Sequence, residues 1–535
     1  MEHKNFNIMQ EENSINLEML TETVMEKTIS PQDYYEIAAI LESLGWNDSR
    51  AAESFGAVDI FELSQIIWDR IHNNASIHPF SEDIKDSLKV KTMTVIKSFL
   101  RGLIFSLPMA ISVLAMLTLR FSLWSYQYLS TELSTSIAIG TILSFMSVGG
   151  FTQVIARRGF FYINQGFYNM AKRTTYYFVR LGYIVCIIVA LLFIILNLFY
   201  EYIPFQMMFF AAIYYIFLSS NWLSITVTYL LKRELTFTGI LSFGIFLVYI
   251  FFRVLNLDII LSQIIALLII SITSLILIIY FFNKDEKLME KGIAPPMPRK
   301  SVMLYSLKPF FYYGFLYFTF LYIDRILAWS TTGDYMPYII WFRGDYELGL
   351  DFALLMLMLP MGISEVTVSR LMESLELAQK NSSSNEASNV NQKYISFYLR
   401  NLLLVFFSAI ISSVIIYLLV MYINNGSSSI FQSSYAFSNI TYFVFVCALV
   451  GYSILAVALS NVVILFSLSQ STVVTKVMLY SILANFLTGF VLSRWFGFYF
   501  AVFGLLVGSI VFCLGTFYYV IKVLKKLDYY LYCAL

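Results

Sequence analysis

The sequence predicts an all-α polytopic membrane protein, and three observations lead to that prediction. Of its 535 residues, 59% are hydrophobic and 13% are charged, roughly half the charged share of a soluble protein. Mean hydropathy is +0.73 over the whole chain. Apolar stretches of about 20 residues, long enough for a helix to cross ~30 Å of hydrocarbon, recur along it. A soluble globule cannot hide so much apolar surface, because its exterior must be charged.

Composition also excludes several other classes of protein. A chain this apolar is not disordered, and four Cys in 535 residues do not make a disulfide scaffold. The net charge of +1 gives no field that would attract nucleic acid. Short strands of alternating polarity are absent from the sequence, which argues against an outer-membrane barrel.

We expect about twelve transmembrane helices. A turn marked by Arg253, Asn256 and Asp258 separates the fifth from the sixth, and the tenth is expected to tilt or break near Ser460–Asn461. The expected spans are roughly 97–120, 131–155, 178–200, 205–231, 237–257, 259–282, 306–329, 349–369, 396–423, 437–468, 472–493 and 496–521.

The distribution of Lys and Arg predicts the orientation. Basic residues gather in alternate loops, which are cytoplasmic by the positive-inside rule, and the other loops hold little beyond Arg120, Arg253, Arg343 and Arg494. Twelve spans with this asymmetry place both termini in the cytoplasm. The predicted location is therefore the cytoplasmic (inner or plasma) membrane, with the lipid bilayer as the surrounding solvent.

Residues 1–95 are expected to be a cytoplasmic helical module with a juxtamembrane segment. Met1–Asn16 is acidic and lacks the apolar stretch of a signal peptide. Ser30-Pro31 predicts the start of a first short helix and Gly45 its end, while Asn47 and Asp59 predict the starts of two more. The module either packs on the membrane region or docks a partner. Its expected core is Ile37, Ile40, Leu41, Leu44, Phe61, Ile66, Ile67 and Trp68.

The rest of the chain divides into two similar halves. Spans 1–6 form an N-lobe over 96–282, and spans 7–12 form a C-lobe over 306–521. A cytoplasmic linker over 283–305, which contains Pro295 and Pro296, joins the two lobes. Residues 522–535 are a cytoplasmic tail. Either half begins its first span with Lys-x-Phe and closes its second with Arg about 60 residues later. Because each half has an even number of spans, both halves have the same orientation in the membrane. This arrangement predicts a substrate path between the lobes. The alternative explanation of this similarity is that any two six-span halves have basic inner loops, even when they are not repeats.

Span 7 carries the deepest ionisable residues, Asp324 and Arg325. Asp324 lies about 16 residues, or ~24 Å, along that helix and shares a face with Tyr313, Tyr317 and Phe320. Charged groups inside hydrocarbon are costly and are therefore functional or paired. Aromatic faces stack on sugar rings, and a carboxylate accepts hydroxyl, amide or ammonium donors. The alternative is a wet Asp324 near the outer interface, with the tyrosines packed against neighbouring helices.

Other charged residues on the expected path are Arg101 near the inner end of span 1 and Glu365 near the inner end of span 8. Arg101 could equally snorkel to the inner surface, and Glu365 and Asp351 could both be solvated. The outer loop Gly333–Gly349 either catches an emerging sugar chain or lies in the headgroup layer. It is rich in aromatic and charged residues: Asp334, Tyr335, Tyr338, Trp341, Arg343, Asp345, Tyr346 and Glu347.

The sequence offers no feature of an enzyme, metal site or cofactor site. His3, His72 and His78 all precede the first span, and the four Cys, Cys533 among them, have no C-x-x-C spacing. There is no phosphate-binding P-loop and no soluble α/β domain for a nucleotide sugar. We therefore expect neither enzymatic activity nor a cofactor or metal.

Two six-span lobes resemble the MOP superfamily, which includes MATE drug antiporters and polysaccharide flippases. Span 7, Phe311–Arg325, resembles that of PelG-like exopolysaccharide transporters, in which an aromatic span ends in Ile-Asp-Lys; here Arg325 replaces the Lys. The resemblance implies export of an amino-sugar polymer through the inner membrane, with Asp324 and Arg325 in the path. It implies a cytosolic glycosyltransferase and other synthase-complex membrane proteins as partners.

Three other functions stay open. A flippase for a lipid-linked oligosaccharide would use a cluster of inward-facing Arg, of which the membrane region has few. A cation-coupled drug antiporter would need carboxylates in the first lobe, where spans 1–6 contain almost none. A membrane scaffold that recruits a synthase through its amino-terminal module would need no path at all.

Overall fold

The computed structural model describes residues 17, 19–25, 27, 31, 33–73, 88–289, 298–332, 336–381, 387–424 and 437–532. Within these ranges regular structure is helical, and extended backbone pairs only at the bridge between Phe121 and Tyr126. The residues form two compact units, Met1–Ile96 with Arg370–Val390 and Lys97–Ser369 with Asn391–Leu535. Several residues of the sequence analysis lie outside the described ranges: His3, Ser30, His78, Pro295, Pro296, Asp334, Tyr335 and Cys533.

In the part of the first unit that the structure describes, three short helices follow one another after the segment that contains Leu20 and Val24. They are α1 (Tyr34–Ser43), α2 (Asp48–Phe55) and α3 (Ile60–Asn73). The first begins later than expected, because Asp33, and not Ser30, caps it: the Asp33 carboxylate accepts from the backbone N–H of Glu36 at 2.9 Å.

The core of these helices differs in part from the expected one. Ile37, Leu41 and Ile67 are buried as expected, but Phe61 and Ile66 are exposed. Because α3 begins at Ile60, its buried positions are Ile60, Leu63 and Ile67, one turn apart, and Phe61 and Ile66 fall on the other face. Leu20 and Val24, from a helical segment that the sequence analysis missed, join the same core.

Twelve further long helical segments make up most of the chain that the structure describes. For reference, α4–α9 are called the N-lobe and α10–α16 the C-lobe. They are α4 (Leu88–Leu119), α5 (Thr131–Asn164), α6 (Tyr168–Tyr200), α7 (Phe205–Leu230), α8 (Glu234–Tyr249, extended by a π-helical turn, Ile250–Val254), α9 (Ile259–Met289), α10 (Lys300–Trp329), α11 (Gly344–Leu354), α12 (Met358–Asn381), α13 (Ala387–Asn424), α14 (Asn439–Ser467), α15 (Ser471–Phe496) and α16 (Val502–Leu524). A 3₁₀ turn, Leu355–Leu357, joins α11 to α12, so these two make one segment, and a short α17 (Leu527–Tyr532) follows.

Ten helical segments of the described chain are long and apolar enough to cross a membrane. Helices also occupy the positions of expected spans 1 and 7, but α4 and α10 are not among the ten. The reason for α10 is its tyrosines, which are only weakly apolar. Twelve membrane crossings stay a prediction.

Three boundaries differ from those expected. The linker expected over 283–305 is helical at both ends, because α9 continues to Met289 and α10 starts at Lys300. The end of α9 is held by charge: Asp285 pairs with Arg233 at 2.8 Å and Glu286 pairs with Lys172 at 2.8 Å. Helix α13 begins at Ala387, well before the expected span 9.

Helix α14 is continuous through Ser460–Asn461, where a tilt or break is expected from the sequence. The Asn461 amide does not compete with the helix backbone, because other side chains satisfy it. Tyr398 donates to its oxygen at 2.8 Å, and its nitrogen donates to Thr516 at 3.3 Å. A buried asparagine therefore joins α13, α14 and α16 without interrupting the helix.

Glycines let the two lobes approach closely along α5 and α10. A Cβ added to Gly149 would lie 2.7 Å from the carbonyl oxygen of Gly314, and one added to Gly150 would lie 2.8 Å from that of Phe311. A second close approach joins α4 to α12, where a Cβ on Gly102 would lie 2.7 Å from the Cα of Gly362. Backbone meets backbone at these points, and only glycine leaves room for it.

Candidate functional site

Asp324 and Arg325 lie inside the C-lobe near the end of α10. Asp324 is 0% exposed and Arg325 is 7% exposed. Both side chains are therefore surrounded by other protein groups in this structure. An ionised group with no water around it needs partners, and the two neighbours on α10 have different ones.

Arg325 pairs with two carboxylates on α11. Its guanidinium donates to Glu347 in a short contact and to Asp351 at 3.2 Å from each terminal nitrogen. Trp329, one turn further along α10, donates its indole N–H to the other Glu347 oxygen at 2.9 Å. Glu347 is buried, whereas the Asp351 side chain is 53% exposed. The network therefore leads from the protein interior to its accessible surface.

Asp324 has a separate partner in Tyr346, also on α11. The Tyr346 hydroxyl donates to Asp324 Oδ2 at 2.8 Å. Within the described chain, Asp324 Oδ1 has no hydrogen-bond partner although it is buried. Of the three carboxyl groups in this region, Glu347 and Asp351 contact the Arg325 guanidinium and Asp324 contacts Tyr346. We call these four residues with Tyr346 the charged cluster, which has a formal excess of carboxylate and an acceptor oxygen left free.

The α11 half of this cluster was not found from the sequence, which assigns Tyr346 and Glu347 to an outer loop. The helix begins at Gly344, so both residues are helical and buried. A usable signal was present, because Glu347 and Asp351 are spaced i, i+4 and therefore share a helix face. That face suits one bidentate cation, and Arg325 is the nearest basic residue on the preceding span.

The predicted aromatic residues of α10 do not all face the same surroundings. Tyr313 and Tyr317 stack with ring centroids 6.0 Å apart, and Tyr313 meets Phe466 of α14 edge-on at 4.8 Å. Phe320 is 0% exposed and packs against Phe512 of α16 at 6.3 Å. Phe320 is thus part of the C-lobe packing, and its place in a substrate path stays a prediction.

A different face of α10 meets the N-lobe. Phe145 of α5 stacks on Phe318 at 5.2 Å and on Tyr322 at 5.6 Å, and its other neighbour is Trp222 of α7 at 4.5 Å. Trp222 in turn meets Trp124 at 5.9 Å. We call these five residues the aromatic cluster. It continues into the charged cluster, because the Arg325 guanidinium lies 5.3 Å from the Tyr322 ring.

Arg101 and Glu365 lie elsewhere. Arg101 is exposed and Glu365 half-buried, and the two attract each other electrostatically near the Gly102–Gly362 contact of α4 with α12. Glu365 is 14 residues beyond Asp351 on the same segment, about 20 Å along it. The structure therefore does not bring Arg101 and Glu365 into the charged cluster. Their part in a path stays a prediction.

Solved structures with the same arrangement of helices are MATE transporters. A mutant of the MATE transporter VcmN from Vibrio cholerae aligns over 82% of this chain and 99% of its own length, with 14% identity and a TM-score of 0.57. The eukaryotic MATE transporter AtDTX14 aligns over 83% of this chain and 99% of its own, with 13% identity and a TM-score of 0.53. The chain has a MATE-like fold.

A third structure, a MATE in complex with MaD5, covers 81% of this chain and 96% of its own length, with 14% identity and a TM-score of 0.53. No protein-family model matches the sequence, and a comparison with curated proteins finds no match. The likeness is therefore one of architecture. It shows a MATE-like fold and leaves the division into two lobes and the PelG-like assignment as proposals.

Proposed function

We propose that this protein exports an amino-sugar exopolysaccharide across the cytoplasmic membrane along a path between its two lobes. The observation that carries the proposal is the charged cluster of α10 and α11, which adjoins aromatic rings at the contact between the lobes. A MATE-like fold of membrane helices is the scaffold that transport by two rocking lobes requires.

The chemistry of the cluster suits an amino-sugar polymer. Asp351 is accessible and can accept donors from hydroxyl, amide or ammonium groups, whereas Asp324 is buried and has an acceptor oxygen with no partner among the described residues. The excess of carboxyl groups favours a partly de-acetylated, cationic sugar over an anionic one. A lipid pyrophosphate, the cargo of an oligosaccharide flippase, would be repelled by the same excess.

The proposed partners follow from the cargo. A polymer that grows in the cytosol requires a glycosyltransferase there, and a continuous path out of the cell requires other membrane proteins of a synthase complex. The helices α1–α3 are the proposed docking element on the cytoplasmic side. Co-purification of the glycosyltransferase with the full chain, and its loss when residues 17–73 are deleted, would support that role.

Cation-coupled drug antiport is the second candidate, and the MATE transporters of similar fold favour it. It predicts that deletion of the gene makes cells hypersensitive to cationic drugs while secreted polymer stays normal. Export of polymer predicts the reverse. A lipid-linked flippase predicts a third result, the accumulation of a lipid-linked intermediate on the inner face.

The direct test is complementation of a deletion strain. We expect deletion to abolish extracellular polymer and Asp324→Asn to lower secretion at least tenfold, because the amide cannot keep the charge that faces the Tyr346 hydroxyl. Asp258→Asn is the matched control. Asp258 caps the start of α9 by accepting from the Ile260 N–H at 3.0 Å, which Asn does equally well. Normal secretion in the deletion strain would refute export.

A further inference from the structure

We propose that the aromatic cluster is a binding site for the sugar rings of the polymer, with the Trp222 indole N–H as its hydrogen-bond donor. The inference rests on the proposed function and adds a site to it. The cluster is formed by both lobes: Phe145 and Trp222 belong to the N-lobe, Phe318 and Tyr322 to the C-lobe.

The aromatic rings around Phe145 are nearly parallel to it. The Phe145 ring has three aromatic neighbours, Trp222 of its own lobe and Phe318 and Tyr322 of the other lobe. Its plane is inclined to theirs by only 30°, 21° and 22°. Flat aromatic faces in this near-parallel arrangement are the surfaces on which the apolar face of a pyranose ring stacks.

The aromatic cluster also contains a polar atom with no partner among the described residues, Nε1 of Trp222. The Nε1 atom of Trp222 is buried, and none of the residues that the structure describes accepts a hydrogen bond from it. Buried indole N–H groups normally find an acceptor, so this one is available to a bound molecule. A sugar offers both requirements at once, an apolar face for Phe145 and a hydroxyl or acetamido oxygen for Trp222.

The aromatic cluster lies at the contact between the two lobes. In this structure Phe318 and Tyr322 pack against the Phe145 ring. A movement of the lobes apart would expose the Phe145 ring to a sugar while Phe145 and Trp222 stay together in the N-lobe. The same rings thus hold the lobes together when the path is empty and bind polymer when it opens. The nearby Arg325 and Asp351 then meet the polar edge of the sugar.

The test is isothermal titration of the full-length protein in detergent with β-1,4-linked hexamers of N-acetylglucosamine and of glucosamine. We expect at least one hexamer to bind the unmodified protein, Phe145→Leu to weaken binding about tenfold and Trp222→Phe about threefold. Trp222→Phe keeps an aromatic ring and removes the N–H, so it decides the matter if Phe145→Leu does not fold. Phe486→Leu, which removes an exposed ring stacked on Phe490, is the control and should bind as the unmodified protein does.

Two results would overturn the site: binding of neither hexamer to the unmodified protein, or hexamer binding by both cluster variants as tight as that of the control. Export itself is judged separately by secretion in the deletion strain. A strain that needs the protein for secretion, together with unimpaired binding by the variants, would leave export standing and remove only the proposed site.

Discussion

Arg325 and Glu347 form a buried ion pair whose cost is met by additional hydrogen bonds. Desolvation of two charges is expensive, and it is repaid only when further donors and acceptors satisfy both groups. Trp329 and Asp351 supply such bonds to the pair, although Arg325 Nε has no partner among the described residues. Deep ionisable residues on α10 can be predicted from the sequence, because charges inside apolar stretches stand out. Their partners cannot, because the pairing of α10 with α11 is a tertiary contact.

At this scale we expect Glu347→Ala to lower the stability of the folded protein by about 3–5 kcal/mol, the usual cost of leaving a buried charge with an incomplete partner set. Arg325 would keep only the accessible Asp351. The measurement is thermal unfolding in detergent, compared with Glu132→Ala, an exposed carboxylate in the first turn of α5. Equal unfolding temperatures for the two variants would show that the pair contributes nothing.

Helices α5 and α10 owe their close contact to glycine. The Gly149–Gly314 approach brings backbone against backbone, which aligns Phe145 with Phe318 and Tyr322. Sequence patterns locate such helices well, since long apolar stretches have no other stable structure in a membrane. Sequence patterns do not show which face of a helix contacts which neighbour, because α10 carries aromatic residues on all of its faces. The Tyr313–Tyr317 face is therefore predictable as a stripe, whereas the Phe318–Tyr322 face, which meets the N-lobe, was missed.

Adding a single methyl group at Gly314 should push α10 away from α5. We expect Gly314→Ala to destabilise the protein by about 1–3 kcal/mol and to lower secretion, because the added carbon collides with the Gly149 backbone, which cannot move aside as a flexible side chain can. Gly239→Ala on α8 is the matched control. A Cβ there meets nothing within 4 Å, so the change should be neutral or slightly stabilising. Wild-type stability and secretion in Gly314→Ala would mean that the contact is not required.

The whole molecule combines a MATE-like fold with a charged cluster confined to one lobe. Composition and hydropathy alone indicate the all-helical membrane class, because so apolar a chain has few other folded states. The proposed substrate depends on a few side chains. Phe145 and Trp222 at the lobe contact were not singled out by any sequence signal, and Glu347, inside the C-lobe, was expected in an outer loop. The proposed export requires that the lobes move apart.

The contact at the expected outer end of the lobes offers the most direct measurement. The backbone N–H of Phe342 donates to the Thr135 hydroxyl at 3.1 Å, so the two positions are in contact. The double variant Thr135→Cys with Phe342→Cys is designed to link them by a disulfide, and its formation is verified by labelling of free thiols before secretion is measured. Polymer secretion is measured in cells before and after a reducing agent, with each single variant as a control. A path between moving lobes predicts that the disulfide stops secretion and that reduction restores it. Undiminished secretion by fully cross-linked protein would contradict that path.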